Sequence, residues 1–465
     1  MSLLIVLAAL AFLMFVAYRG YSVILFAPIA ALGAVLLTDP SLVAPMFTGL
    51  FMDKMVGFLK LYFPVFLLGA VFGKLIEISG FSKSIVAATI RVVGAQRAML
   101  SIVLVCALLT YGGVSLFVVV FAVYPFAAEL FRQSDIPKRL IPGTIALGAF
   151  TFTMDALPGT PQIQNIIPAP FFGTTSWAAP VLGTIGGIFI LIVGMLYLES
   201  RRRRAAALGE GYGDNLLNEP APFSGHKLAH PLIAILPLVV VAVANFLFTR
   251  WIPAFYGETQ SFIPSVIGSP APIVQEVSKI AAIWAVQGAL IAGILCVIVF
   301  AWRNVIVSFA EGTKNAISGA LLASMNTASE YGFGAVIAAL PGFLAVATAL
   351  KSIPNPLVNE AVSVTALAGI TGSASGGMSI ALAAMADSFI ANANAAGIPM
   401  EVLHRVASMA SGGMDTLPHN GAVITLLAVT GLSHRQSYKD IFAITLIKTT
   451  SVFVIIGLYY LTGWV

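Results

Sequence analysis

Hydrophobic residues along this chain come in long blocks, not in alternation. Runs long enough to cross about 30 Å of hydrocarbon occupy roughly 2–18, 22–37, 58–76, 178–198, 231–249, 281–301 and 441–461, and further apolar stretches are interrupted by Gly or Pro. The roughly ten-residue alternating segments of an outer-membrane barrel are missing, so the blocks predict helices. Four polar interruptions stand out: "TYGGVS" at 110–115, "MDALPGTPQ" at 154–162, "TGSASGGMS" at 371–379 and "MDTLPHNGA" at 414–422. Each puts Gly, Pro, hydroxyls or an acid where a spanning helix is otherwise expected.

Composition supports the same class. Of 465 residues 59% are hydrophobic and 9% charged, and the mean hydropathy is +0.98, against about 25% charged residues in soluble domains. The first block starts at residue 2 without a basic leader or a small-residue cleavage site and is expected to be a retained span. Cys106 and Cys296 lie in apolar stretches and suggest neither a disulfide framework nor a metal cluster. The net charge of +5 comes from basic residues at span ends, which reads as an orientation signal and not as a nucleic-acid surface.

The one soluble-looking stretch, 199–230, carries Arg201 to Arg204 and reads as a cytoplasmic linker. On either side of it three anchors repeat: "ISGF" 78–81 with "LPGF" 340–343, "GGVS" 112–115 with "GGMS" 376–379, and "MDALP" 154–158 with "MDTLP" 414–418. A near-constant offset at three separate places implies a duplication. With the arginine cluster inside, 17 of the 24 basic residues fall on the cytoplasmic side, Lys227 among them, and five outside, including Lys351. Arg97 and Arg132 flank 98–131 at both ends, which predicts a hairpin that enters and returns with its tip at 110–115. Its counterpart, about 360–395, enters from the other side with its tip at 371–379. Five full spans per half make the second half an upside-down copy. The expected fold is therefore an all-α polytopic membrane protein of two inverted-topology repeats, each about five transmembrane helices (one broken) plus a re-entrant helical hairpin. The expected units are scaffold helices 1–97, a core 98–199, the linker 200–230, scaffold helices 231–358 and a second core 359–465.

Non-helical backbone survives at membrane depth only when buried in protein or lining a wet cavity. Paired interruptions in inverted repeats are the pattern of a secondary transporter with its site at the midplane, where half-helix N-termini suit a carboxylate. The candidate substrate-binding residues are Thr110, Gly112, Gly113 and Ser115 at the first tip, and Thr371, Ser373, Ser375, Gly376, Gly377 and Ser379 at the second. Thr160, Gln162, Gln164 and Asn165 follow the first break; His419, Asn420 and Thr425 follow the second. Small residues that merely permit tight packing in lipid are the plainer alternative. Asp155 and Asp415 are candidate proton-coupling residues, since a bound anion beside them favours the protonated acid; the plainer role is an N-cap for the re-entering half-helix. Glu330, in "MNTASEYGFG" 325–334, is a third candidate proton carrier or else a partner for Lys or Arg at a domain boundary. Asp387 and Glu129 read as structural, and His404 and Arg405 as lying near the outer membrane face.

On these motifs the chain resembles the gluconate:proton symporter (GntP) family, within a larger superfamily of inverted-repeat carboxylate carriers. The resemblance implies a multi-pass symporter of the bacterial inner membrane for sugar acids or small hydroxy acids, a homodimer, and an elevator-like core holding hairpins and broken helices. Gluconate-type members carry a more proline-rich first break with a histidine near its start, where this chain has "MDALPGTP". It looks closer to the D-3-hydroxybutyrate branch. Sodium coupling is the nearest alternative, since tip carbonyls and hydroxyls also build sodium sites. A passive anion channel is a further one. An enzyme is not expected: "GSASG" at 372–376 centres on Ala374, so no serine elbow is formed, and zinc-protease, Walker and zinc-cluster motifs are absent. No cofactor and no metal are implied.

Overall fold

A computed structural model describes residues 2–465 apart from 20, 95–96, 215–216, 221–227, 264–271, 344, 346–347, 349–352, 372 and 419. His419, Lys227 and Lys351 lie outside the described residues, as does Gly372 of the second tip and the side chain of Thr371. The chain is an all-α polytopic membrane protein. Among the described residues six helices are long and apolar enough to cross a membrane: Pro40–Ile78, Pro180–Ala207, Pro231–Tyr256, Val277–Ala339, Ala374–Ala395 and His434–Thr462. One small element was not expected, a two-stranded antiparallel ribbon of β1 (Thr259–Phe262) and β2 (Ile273–Glu276), exposed along most of its length.

In the first half α1 (Ser2–Tyr18) and α2 (Val23–Thr38) precede the long α3 (Met52–Ile78) and α4 (Phe81–Val93). The α3–α4 turn is made at Gly80, whose φ of +78° is the left-handed conformation that glycine adopts without strain. The first hairpin is α5 (Ala98–Tyr111) and α6 (Leu116–Gln133), and α7 (Ile141–Ala149) leads into the first break. After the break, α8 (Pro180–Ala207) starts with Pro at N1, where its missing N–H costs nothing. The second half opens with α9 (Pro231–Tyr256) and α10 (Val277–Ala339). The expected span 281–301 does not end at 301: Ala301 departs from helical dihedrals (φ −126°, ψ 25°) and kinks the helix, which continues to Ala339. Then come the second hairpin, α11 (Pro356–Thr371) and α12 (Ala374–Ala395), and α13 (Met400–Gly412), the second break, α14 (Gly421–Thr430) and α15 (His434–Thr462). Helices α3, α9 and α10 pack together, as do α8 with α15 and α11 with α12 and α13.

The two tips differ from each other. At the first, Gly112 and Gly113 form the turn, with Gly113 at φ +96°. At the second, Ser373 caps α12 by accepting from the Gly376 N–H (3.1 Å), so the helix begins early and Gly376 and Gly377 fall inside its first turns instead of at the tip. Their small size still matters. A Cβ on Gly377 would overlap the Ala368 backbone of the facing arm, and one on Gly376 would overlap the Glu330 carboxylate.

The linker is not a loose connector where it is described. Tyr212 is buried, its N–H donates to Asp135 Oδ1 (3.0 Å), and its carbonyl accepts from Lys138 N–H (3.2 Å). Lys138 Nζ reaches Leu217 O (2.7 Å) and Glu219 (2.8 Å), Arg132 pairs with Glu219, and Asn218 Nδ2 donates to Ala428 O (2.7 Å). Residues 208–214 and 217–220 thus form a strap tying α6 and the Asp135–Arg139 turn to the end of α14. The composition is polar because the strap lies on charged helix ends, not because it is unstructured.

Candidate functional site

The two breaks are built differently. The second is regular: α13 gives way to a 3-10 turn at Gly413–Thr416, and α14 restarts at Gly421 with Asn420 as its N-cap, Oδ1 accepting from Ala422 N–H (2.7 Å). Asp415 is therefore not the cap of its own half-helix. The first break opens earlier than the motif suggested, at Phe150 and Thr151, and continues as one-turn segments, Phe152–Asp155, Ile163–Ile166 and Ala169–Phe172. Asp155 ends the first of these and caps no re-entering helix.

Carbonyls freed by the first break must find donors at membrane depth. Buried side chains supply them. Arg405 of α13, fully buried, donates to Asp155 O (2.6 Å), to Ala178 O (2.7 Å) and to Asn165 Oδ1 (2.9 Å). Ser408 donates to Asp155 O and Gln164 O, both at 2.9 Å. Lys448 of α15 donates to Phe150 O (2.9 Å). His404 contacts Thr174 Oγ1 (2.6 Å) through Nδ1 and Asn165 O (3.1 Å) through Nε2. His404 and Arg405 thus sit in the protein interior against the first break, whose bare carbonyls outnumber the donors of its own chain. Asn165 is committed in the same way, its Nδ2 donating to Thr160 O (3.0 Å) and Ser176 O (2.8 Å).

The acids lie at the centre of this arrangement. Asp155 Oδ2 and Lys448 Nζ are 2.5 Å apart, with side chains 0% and 1% exposed. Gly412 stands against both, and a Cβ there would overlap the Asp155 oxygen and the Lys448 ammonium. Asp415, on the second break, accepts from the Ala374 N–H (3.0 Å) and from Gln164 Nε2 (2.8 Å), with Asn420 Nδ2 at 3.5 Å. Ala374 begins α12, so a carboxylate of the protein itself fills the N-terminus of the second hairpin's returning arm. Glu330, on α10, faces Gly376 and pairs with no Lys or Arg among the described residues; its Oε2 is buried and unbonded. Ser375 Oγ lies 3.4 Å from both Thr327 Oγ1 and Ser373 Oγ, and Ser379 Oγ donates to its own helix at Ser375 O (2.7 Å).

The first tip joins through the first break. Gln162 Nε2 donates to Thr110 O (2.7 Å) and Val114 O (3.3 Å), and Tyr111 OH to Pro158 O (2.8 Å). Gly112 and Gly113 instead face apolar partners, Leu238 of α9 and Pro161, Leu290 and Phe72. Ser115 caps α6 without a side-chain bond. The structure thus brings Asp155, Gln164, Asp415, Asn420, Ser373 to Gly376 and Glu330 into one buried cluster, with Thr110, Gln162 and Thr160 on its first-break side. Thr110 Oγ1, Thr160 Oγ1 and Gln164 Oε1 are buried there without partners. Lys448, Arg405 and Ser408 are the members that sequence reasoning missed. A lysine in the middle of the apolar run 441–461 was the available signal, since such a residue is functional by default.

Two hairpins, two broken segments and a cluster of buried acids and cations between them are the features of a membrane transporter. No family model matches the chain. It is 60% identical over 474 residues, covering all of both chains, to the uncharacterized transporter YxjC of Bacillus subtilis (strain 168), and it belongs to the same transporter family. The YdaH transporter of Alcanivorax borkumensis, whose crystal structure reveals an unusual topology, shares the fold with a TM-score of 0.51 over 92% of this chain and 90% of that one, at 16% identity.

Proposed function

We propose that the chain is a proton-coupled symporter of a small organic hydroxycarboxylate, D-3-hydroxybutyrate being the favoured substrate, in the bacterial inner membrane. The observation that carries this reading is the buried Asp155–Lys448 ion pair at 2.5 Å. Two buried cations, Lys448 and Arg405, face two buried aspartates, Asp155 and Asp415. A substrate carboxylate entering this balance adds a negative charge that low-dielectric surroundings penalise, and a proton on one aspartate offsets it. Arg405 already donates from Nε and both terminal nitrogens to the first break. Lys448 is the cation that can change partner: protonation of Asp155 releases its ammonium to the substrate carboxylate. Asp415 works on the second tip in the same way, its protonation freeing the Ala374 N–H and the Gln164 amide. The unbonded Gln164 Oε1, Thr110 Oγ1 and Thr160 Oγ1 suit the substrate hydroxyl. The resemblance to gluconate:proton symporters supports the substrate class, and the elevator-like motion and homodimer rest on it as well.

The test is uptake of labelled D-3-hydroxybutyrate and gluconate into liposomes holding the purified protein, with an acid-outside gradient and no sodium. We expect accumulation of D-3-hydroxybutyrate against its gradient. Asp155→Asn, which mimics the protonated acid, keeps counterflow but loses proton-driven accumulation. Accumulation that requires sodium and ignores the proton gradient replaces this reading with a sodium-coupled one.

A further inference from the structure

Glu360 has no place in the site described above. It lies in the second turn of α11, the first arm of the second hairpin, it is fully buried, and neither carboxylate oxygen has a hydrogen-bond partner. Its polar neighbours do not serve it: the Ser363 hydroxyl turns back to Asn359 O at 2.7 Å. The helices packed on α11 are α1, α12, α13 and α15, with the Gly413–Thr416 turn. Helix α1 carries no charge, and α12 contributes Asp387. On α13 the charged groups are Glu401, His404 and Arg405, the last two committed to the first break. On α15, Lys448 is taken by Asp155, and Asp440 by Arg139 and Arg201; His434, Arg435 and Lys439 lie at the helix start. Among the described residues no cation comes within ion-pairing distance of Glu360, and no donor reaches either of its oxygens.

An ionised carboxylate without donors or a counter-ion in such surroundings loses its hydration and recovers nothing. A neutral acid does not carry that cost. Thr371, at the end of the same arm, is eleven residues further on, roughly 16 Å along the helix axis, so Glu360 lies between the open end of the hairpin and the acids at its tip. We propose that Glu360 is a second proton-binding site of this transporter, separate from Asp155 and Asp415, which holds a proton in the state described here and releases it when movement of the hairpin brings water to the arm. The transport part of this inference rests on proton coupling as proposed above; the protonation state does not.

Two measurements test it. Infrared difference spectra of the purified protein across a pH series should contain the C=O stretch of buried protonated carboxylic acid, and one component of that band should be lost in Glu360→Gln and kept in Glu330→Gln. In liposomes Glu360→Gln, which keeps the shape of the neutral acid, should retain substrate counterflow while losing proton-driven accumulation. The proposal is overturned if the band in Glu360→Gln is unchanged in shape and intensity from wild type, or if that variant concentrates substrate with wild-type dependence on the proton gradient. Wild-type uptake that ignores the proton gradient would remove the coupling reading, while the infrared band would still report on Glu360.

Discussion

Arg405 and Gly412 show how single positions hold the interior in order. Replacing Arg405 with Met removes donors from Asp155 O, Ala178 O and Asn165 Oδ1 at once and leaves them buried. Loss of one member of such a buried charged network costs about 3–5 kcal/mol, so Arg405→Met should lower the midpoint of thermal unfolding strongly, with or without substrate. A fluorescence-monitored melt checks this, and an unchanged midpoint would mean that the break is satisfied by other groups. Gly412→Ala acts differently. A helix accepts alanine readily, but here the added methyl would overlap the Asp155 carboxylate and the Lys448 ammonium. Forcing this buried pair apart is costly for the same reason, so Gly412→Ala should lower both uptake and the melting midpoint; a wild-type value of either would show that the pair tolerates the methyl.

Between elements, the strap of residues 208–214 and 217–220 is the least expected connection. Its acids are held by the helix ends beneath it. The Arg139 guanidinium, hydrogen-bonded to Glu210 at 2.6 and 2.7 Å, keeps that carboxyl below its ordinary value of 4.5. Partial burial raises Glu219, yet Lys138, Tyr212 and Arg132 outweigh it and its carboxyl also lies below 4.5. A carboxyl lowered in the folded state stabilises above its unfolded value, and that contribution is lost as pH falls through the folded one. Strap amides should therefore keep their protection from hydrogen exchange at neutral pH and lose it as pH falls below the ordinary carboxyl value of 4.5, ahead of those of α8 and α15; uniform protection down to acid unfolding would contradict this. The same region marks the limit of sequence reading. The helical blocks, the first tip and the duplicated breaks were legible because each is a local departure from apolar periodicity. The strap was not, since its order comes from Lys138, Asp135 and Ala428, distant in sequence. Nor was the division of labour at the second break, where Asn420 caps the helix and Asp415 reaches across to another hairpin.

For the whole molecule, the proposed elevator-like movement requires the first tip to slide past the scaffold. Gly112 rests on α9, where a Cβ would stand 2.9 Å from the Leu238 Cβ, so a shift of roughly 1 Å between tip and scaffold reaches the mean Cβ separation of about 3.8 Å in disulfides. With Cys106 and Cys296, both free thiols, replaced by Ala, the pair Gly112→Cys and Leu238→Cys should cross-link under mild oxidation and fix the tip against the scaffold. If core and scaffold move as separate bodies, the oxidised protein should still be stabilised by substrate in a thermal shift but should not carry it across the bilayer, and reduction should restore uptake. A channel or a mechanism confined to side-chain gating has no need for that displacement. Full uptake by a completely cross-linked sample would therefore exclude the elevator while leaving the Asp155–Lys448 site in place, because that ion pair involves neither Gly112 nor Leu238.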